Sequence, residues 1–301
     1  MRRARRICIY HAGCPDGFGA AWAAWQAWGE DALYVARGHD DVLRPGDYTG
    51  DHVLFADIAP PPDAWRDLVE QAERLVVLDH HVSARDRYVA EPSLGDAVER
   101  EGHQVVFDLS RSGAVLAWQH LHPERALPDL LAYVQDQDLW RWQLPASREV
   151  NAAIGSHLRS FETWGKLAAA PIETLAAEGR PILRALRMEV DRALATAHPV
   201  RVAGLPLEAV NARLQRAEIG HELAERRAFG VPAGAVYRVT GTRVDVSLYS
   251  VGELDVAKLA ESLGGGGHRN AAGFAVPLAE WLERYLTSTE PRRGSRSPAP
   301  S

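Results

Sequence analysis

Short apolar runs alternate with helix-like segments through roughly the first 140 residues, and this pattern predicts βαβ units with a parallel sheet. The runs that we interpret as strands are residues 7–10, 33–36, 53–56, 75–78 and 105–107. The segments that we interpret as helices are residues 15–28, 62–72 and 112–120. The predicted fold class is therefore α/β, with a Rossmann-like parallel sheet in the amino-terminal part.

The pattern changes along the rest of the chain. From Leu127 onward it is mainly helical, and a long helix over residues 173–197 stops at His198-Pro199. Short strands and helices then form a second, smaller α/β unit, and the tail is rich in Ser, Pro and Arg. We therefore expect a first domain over residues 1–170, a helical linker over 171–198, a second domain over 199–286 and a disordered tail over 287–301.

Composition excludes several classes of protein. The chain has 301 residues, a formal net charge of −6 and two cysteines. No apolar stretch approaches the ~18 to 20 residues that span a bilayer, so we expect no membrane association. Two cysteines cannot form a disulfide framework and fit a reducing cytoplasm. The mildly acidic balance argues against binding of long duplex nucleic acid.

Histidine and aspartate stand at the ends of three predicted strands. Asp79-His80-His81 follows the run at 75–78, His11 follows the first strand, and Asp57 follows the run at 53–56. Because the carboxyl ends of parallel strands form the ligand-binding crevice of an open sheet, these side chains are expected to converge on one site.

The residue types at these strand ends favour a site for hard divalent cations. Carboxylate and imidazole ligands without thiolate pairs suit Mn²⁺ or Mg²⁺ more than a structural zinc. Asp57 is the candidate to bridge two ions, and Asp136 or Asp138 could complete the second site. Each residue also has an ordinary role open to it: His11 as a loop residue, Asp57 as a cap, and the two later aspartates as a solvated face or as partners of Arg141.

A glycine run near the end of the second domain predicts contact with an anion. Glycines let the backbone approach a phosphate closely, and a flexible loop is the alternative. Arg269 adds a charge suited to bidentate phosphate binding. Ser112 at a helix start is a further candidate anion contact, although ordinary N-capping explains it equally well. The candidate substrate-binding residues are Gly265, Gly266, Gly267, His268, Arg269, Asn270 and Ser112.

These motifs together resemble the DHH/DHHA1 phosphoesterase family. The stretch His11, Cys14, Asp16, Gly17 is followed by the strand-end Asp57, by Asp79-His80-His81 and by residues 264–268, Gly-Gly-Gly-Gly-His. Four ordered motifs over about 270 residues cover both predicted domains. The resemblance implies an amino-terminal DHH domain and a carboxyl-terminal DHHA1 domain that grips the substrate.

The resemblance also implies roles for individual residues. His11 would bind the first metal and Asp16 the second, and Asp57 would bridge them. His80 and an aspartate of the fourth motif, with Asp136 preferred over Asp138, would complete the second site. His81 would face the substrate phosphate, and Asp79 would orient a neighbouring histidine. Cys14 stands where many relatives carry a carboxylate ligand, which would favour a softer cation or leave the sulfur as a bystander.

The function that follows is metal-assisted hydrolysis of phosphate esters. We expect two Mn²⁺ ions, with Mg²⁺ or another divalent cation possible, and a short oligonucleotide, dinucleotide or other small phosphate ester as substrate. The alternatives are an inorganic polyphosphate or pyrophosphate hydrolase and a non-catalytic nucleotide sensor. A cytoplasmic enzyme is expected, and a homodimer is compatible with the sequence.

Overall fold

The computed structural model describes residues 3–38, 41, 43 and 48–286, so the predicted tail at 287–301 lies outside the described residues. The chain divides into two compact units, Met1–Leu186 and Arg187–Ser301. The boundary falls inside the long helix that the sequence pattern indicates before His198.

Within the described residues, the first unit is built on a five-stranded sheet. Its strands are β1 (Arg6–His11), β2 (Ala32–Arg37), β3 (His52–Ala56), β4 (Arg74–Asp79) and β5 (Gln104–Phe107). They lie in the order β2-β1-β3-β4-β5, and every neighbouring pair is parallel. The predicted α/β class with a parallel sheet is confirmed. Because the order reverses at β1, the carboxyl ends of β1 and β3 flank the crevice where such sheets bind ligands.

Helices account for most of the remaining chain of the first unit. They are α1 (Pro15–Trp28), α2 (Trp65–Gln71), α3 (Val82–Val89), α4 (Pro92–Arg100), α5 (Gly113–Leu121), α6 (Asp129–Asp138), α7 (Ser147–Ser156), α8 (Phe161–Ala169) and α9 (Ile172–Leu194), which crosses the boundary. Helices α3 and α4 are not anticipated by the sequence pattern. The reason is that few apolar side chains mark these helices: α3 buries Ala84 alone, and α4 buries Leu94 and Val98 alone.

The central strands β1, β3 and β4 are buried on both faces, which explains why they are continuous apolar runs. Alternate residues such as Cys8 and Leu54 pack with α1 and α5 on one face. Their neighbours Ile9 and Phe55 pack with α2 and α4 on the other face. Helices on both faces hold the strands in place, so that the polar residues at their carboxyl ends are presented from a rigid frame.

The second unit carries a mixed sheet in the described residues. Its elements are β6 (His198–Val202), β7 (Leu205–Asn211), α10 (Arg216–Arg226), β8 (Ala233–Thr240), β9 (Arg243–Ser250), α11 (Val256–Glu261), β10 (Gly266–His268), β11 (Ala271–Pro277) and α12 (Leu278–Glu280), which continues into a π-helical turn, Trp281–Tyr285. The strand order is β10-β11-β9-β8-β7-β6, with β7 and β8 parallel and the other pairs antiparallel. The end of the glycine run forms strand β10 instead of a loop.

Among the helices of the described residues, none is both long and apolar enough to cross a bilayer.

Candidate metal centre

Imidazole and carboxylate groups from five parts of the first unit meet around the side chain of His80. The Nε2 atom of His80 lies 3.1 Å from Asp57 Oδ1, 3.5 Å from Asp138 Oδ2 and 3.7 Å from Asp16 Oδ2. On the other side of Asp57, the Oδ2 atom lies 3.4 Å from His11 Nδ1. The strand-end residues therefore lie together, with Asp16 from α1 and Asp138 from α6 beside them.

The cluster separates into two groups that could each hold a metal ion. The first is His11, Asp57 and His81, and the second is Asp16, His80 and Asp138; in each group the candidate ligand atoms lie within 4.8 Å of one another. His81 thus lies with His11 and Asp57, whereas the sequence-based expectation has it facing the substrate phosphate.

The backbone of Asp57 is strained, and Gly113 is the residue that accommodates it. Asp57 has a φ of 61°, in the left-handed region that non-glycine residues seldom occupy. A Cβ atom at Gly113 would lie 2.3 Å from the Cβ and 2.6 Å from the Cα of Asp57. The first residue of α5 must therefore be a glycine for Asp57 to keep this position.

Asp16 is held by the amino terminus of α5. One oxygen of its buried carboxylate accepts a 2.7 Å hydrogen bond from Gly113 N, and the other accepts a 3.1 Å bond from Ala114 N. Helix amino termini favour negative charge, so α5 stabilises the ionised form of Asp16. The N–H groups of Gly113 and Ala114 therefore already have an acceptor within the chain.

Ser112 has a capping role in this structure. Its hydroxyl accepts a hydrogen bond from Val115 N at the start of α5, and the residue is completely buried. The capping alternative for Ser112 therefore replaces the expectation that it contacts a substrate anion.

Asp79 orients His81. Its Oδ1 lies 2.6 Å from His81 Nδ1 and also accepts hydrogen bonds from the backbone N–H groups of His80 and His81. Carboxylates hydrogen-bond metal-binding imidazoles in this way and fix the orientation of the ring. The Oδ2 atom of Asp79 is buried and has no hydrogen-bond partner among the described residues.

Cys14 lies next to the first group. It caps the start of α1, where its Sγ accepts a hydrogen bond from Gly17 N. The same sulfur lies 3.6 Å from His11 Nδ1 and 3.4 Å from Asp57 Oδ2. Cys14 is therefore close enough to influence a cation held between His11 and Asp57.

Asp136 is not part of the cluster, and this corrects the preference for it over Asp138. Helix α6 extends to Asp138, so both aspartates lie in its last turn. The oxygens of the Asp136 carboxylate accept hydrogen bonds from Gln143 N and Leu144 N, at 3.0 and 3.2 Å. Asp138, half a turn further along the helix, is the residue beside His80.

The two aspartates are expected to respond differently to truncation. Asp138→Ala should lower the amount of Mn²⁺ bound per chain at saturation, because it removes a carboxylate from the second group. Asp136→Ala should leave the metal content unchanged and destabilise the fold by about 1–3 kcal/mol, because two backbone N–H groups lose their acceptor. Equilibrium dialysis with metal analysis, and unfolding followed by circular dichroism, measure the two effects. The reverse pattern would reinstate Asp136 as the ligand.

Burial and neighbouring charges shift the pKa values of the cluster residues in different directions. Burial raises the pKa of Asp16 well above its ordinary value, and the nearby Asp57 and Asp138 raise it further. Burial also raises the pKa of Asp57, but hydrogen bonds from His11 and His80 outweigh it and hold the pKa well below the ordinary value. Although burial lowers the pKa of His80, its bond to Asp57 and the charge of Asp138 raise the pKa to about 10.

The donor set fits divalent cations. Three carboxylates and three imidazoles converge with no lysine or arginine among the residues of either group. Buried carboxylates that raise one another's pKa need a compensating positive charge, and oxygen with imidazole nitrogen is a ligand set for Mn²⁺, Mg²⁺ or Zn²⁺.

The glycine run in the second unit forms a hairpin with tight backbone packing. Strand β10 pairs antiparallel with β11, and a Cβ at Gly265 would lie 2.0 Å from Gly273 O. Beyond it, Arg269 Nη2 donates to the carbonyl and carboxylate of Glu253, and Asn270 Nδ2 donates to Ser250 Oγ. The close packing of the hairpin therefore requires glycine at position 265. The hydrogen bond of Asn270 stabilises the turn.

Part of the second unit matches a known protein family. Residues 217–290 match the family model described as the DHHA1 domain. A protein of Acanthamoeba polyphaga mimivirus, named uncharacterized protein R106, is 23% identical over 296 residues, which cover 89% of this chain and 67% of the viral protein.

Two solved structures are similar over most of the chain. One is a pGpG-specific phosphodiesterase, PggH, from Vibrio cholerae, at 12% identity and a TM-score of 0.44, covering 92% of this chain and 94% of that chain. The other is an exopolyphosphatase-related protein from Bacteroides fragilis, at 12% identity and a TM-score of 0.43, covering 90% of this chain and 87% of that chain.

The first unit is an α/β domain with a His and Asp cluster at the carboxyl ends of its parallel strands, and the second unit is a separate, smaller α/β domain. Because residues 217–290 match the DHHA1 domain model, the DHHA1 part of the resemblance is confirmed: the second unit carries a DHHA1 domain.

Sequence reasoning misses two features of this site. It places Gly113 only at a helix start, because nothing in the sequence indicates that Asp57 approaches it. It assigns no function to residues 140–145. Two tryptophans that closely follow Asp138, Trp140 and Trp142, are the signal in the sequence that could have indicated one.

Proposed function

We propose that this protein is a divalent-metal-dependent phosphohydrolase that cleaves phosphodiester or phosphomonoester bonds of short oligonucleotides or dinucleotides. The observation that carries the proposal is the pair of His and Asp groups that meet at Asp57. A polar cluster of this kind, in the ligand-binding crevice of a parallel sheet, is suited to hold cations that neutralise the negative charge of a phosphate group.

The residues of the cluster would have two kinds of role, as metal ligands and as groups that position those ligands. His11, Asp57 and His81 would hold one cation, and Asp16, His80 and Asp138 the other. Two divalent cations supply a water of lowered pKa and withdraw charge from phosphoryl oxygens. Asp79 keeps the His81 ring in position, and α5 keeps the Asp16 carboxylate in position. In this proposal His81 is a ligand of the first group, whereas the sequence-based expectation has it facing the substrate phosphate.

The second domain would bind the substrate through residues 264–270. Support comes from the DHHA1 match over residues 217–290. Arg269 pairs with Glu253, whose side chain is 95% exposed, and exposed ion pairs of this kind contribute about 0–1 kcal/mol. A substrate phosphate can therefore compete for the Arg269 guanidinium at little cost. With its two cysteines and acidic balance, the enzyme is proposed to act in the cytoplasm.

Cys14 is expected to influence which metal the enzyme prefers. Cys14→Asp, which places a hard carboxylate beside His11 and Asp57, should raise activity with Mn²⁺ or Mg²⁺ relative to Zn²⁺ or Fe²⁺, because oxygen ligands favour harder cations. Cys14→Ser, with a neutral oxygen of similar size, is the matched control. Initial rates and metal affinities are measured for each cation. Unchanged preference in Cys14→Asp would mean that the sulfur does not act on the metal.

One assay tests the proposed function. The purified protein, stripped with a chelator and reloaded with Mn²⁺, is incubated with dinucleotides, short RNA and DNA, cyclic dinucleotides, pyrophosphate and polyphosphate. Metal-dependent turnover of dinucleotides or short oligonucleotides is the expected result. Turnover of polyphosphate alone would point to the polyphosphate hydrolase, and nucleotide binding without any turnover would point to the sensor.

A further inference from the structure

The segment after Asp138 has a backbone conformation that its residue types do not favour. Trp140, Trp142 and Ala146 have φ values of 54°, 53° and 52°, all in the left-handed region. For bulky side chains this region is a genuine outlier, and each such residue costs of order 1–3 kcal/mol. A strained segment of this kind persists only where neighbouring groups hold it.

Asp136 is the residue that holds the segment. Its carbonyl accepts hydrogen bonds from Arg141 N and Trp142 N, at 2.9 and 3.3 Å. Its carboxylate accepts from the next two backbone N–H groups, those of Gln143 and Leu144. One residue therefore binds four consecutive backbone N–H groups. The Arg141 side chain adds a bond to Ser110 O.

The product of this restraint is a pair of packed indoles in the segment that directly follows Asp138. The rings of Trp140 and Trp142 lie 5.2 Å apart in an edge-to-face arrangement, and the Arg148 guanidinium lies 4.2 Å from the centre of the Trp142 ring. Both tryptophans are partly exposed, whereas Trp22 and Trp118 of the same unit are buried in its core. The core therefore does not account for the position of Trp140 and Trp142.

The location of the pair indicates what it binds. Trp140 is two residues beyond Asp138, whose carboxylate lies 3.5 Å from His80 in the second group. A phosphate ester held at the cluster would carry its organic part within reach of an indole anchored this closely. Nucleobases stack on aromatic rings with about 1–3 kcal/mol per base, and this binding tolerates different bases.

We infer that the Trp140–Trp142 pair is a nucleobase platform, with Trp140 as the stacking ring and Trp142 as its support. The inference rests on the proposed function and narrows its substrate to phosphate esters that carry a base. Asp136 is a positioning residue, since it acts by holding the two tryptophans.

The test compares two ligands that share a phosphate and differ in the base. Affinities of adenosine 5′-monophosphate and ribose 5-phosphate are measured by calorimetry in the presence of Mn²⁺, for the wild type, Trp140→Leu and Trp140→Phe. The wild type is expected to bind the nucleotide about 5- to 150-fold more tightly than the sugar phosphate. Trp140→Leu should lose most of this ratio and Trp140→Phe should keep most of it, with ribose 5-phosphate bound equally by all three.

Three results would overturn the platform: no preference for the nucleotide in the wild type, an unchanged ratio in Trp140→Leu, or an equal loss for both ligands. The outcome is distinguishable from failure of the proposed function. Hydrolysis of phosphate esters without a base preference rejects the platform alone, and a base preference without any hydrolysis rejects the hydrolase alone.

Discussion

Asp57→Asn is expected to lower kcat by more than about 100-fold, because mutation of groups that merely support metal ligands already costs about 10- to 100-fold. Asp57 lies between the two groups, within 3.4 Å of His11 and 3.1 Å of His80, so its loss affects both. Asparagine has nearly the same shape and is among the residues that best tolerate the left-handed backbone at this position. The variant therefore removes a charge without removing the fold.

The measurement combines initial rates with Mn²⁺, bound metal per chain and circular dichroism. Asp96→Asn, an exposed carboxylate on α4, is the matched control and should behave as the wild type. Full activity in Asp57→Asn would refute the assignment of Asp57 as a metal ligand.

Gly113→Ala is expected to damage both stability and activity. The added methyl group would lie 2.3 Å from the Cβ of Asp57, so the α5 terminus or the Asp57 backbone must move. Overpacking of this kind costs about 1–3 kcal/mol. Because Asp57 lies at the proposed reaction centre, a displacement of about 1 Å should also lower kcat on the order of 100-fold.

Gly165→Ala in α8 provides the control for this substitution. A Cβ at Gly165 meets nothing within 4 Å, so alanine should stabilise the helix by roughly 0.5–1 kcal/mol. Unfolding midpoints and kcat are compared for both variants. If Gly113→Ala keeps wild-type stability and activity, the close packing of α5 on Asp57 is not required for the site.

How well a site residue can be predicted depends on the kind of position it occupies. The amino-acid pattern is enough to bring His11, Asp57 and His80 together, because each follows a buried strand of a parallel sheet. Strand ends of such a sheet meet at one edge, so chain order and apolar periodicity locate all three residues.

The roles of residues at helix ends and in turns are harder to predict from the sequence. Asp136 and Asp138 are both carboxylates near the end of α6, and no feature of the sequence distinguishes them. The choice depends on the direction of each side chain: Asp136 is turned to the backbone of residues 143 and 144, and Asp138 is turned to His80. Ser112 poses the same difficulty, since a helix start serves equally for capping and for anion binding.

The α/β class, the DHHA1 domain and the set of His and Asp residues at the strand ends follow from local patterns and motifs, so the amino-acid sequence is sufficient for them. Three further features require the folded molecule: the division of those residues into two groups, the choice of Asp138 as the aspartate beside His80, and the positions of Gly113 and the strained Trp140–Trp142 segment. The Trp140–Trp142 segment depends on local hydrogen bonds to Asp136. The other features depend on distances between residues far apart in the chain, and packing of α5 and α6 against the rest of the first unit sets those distances.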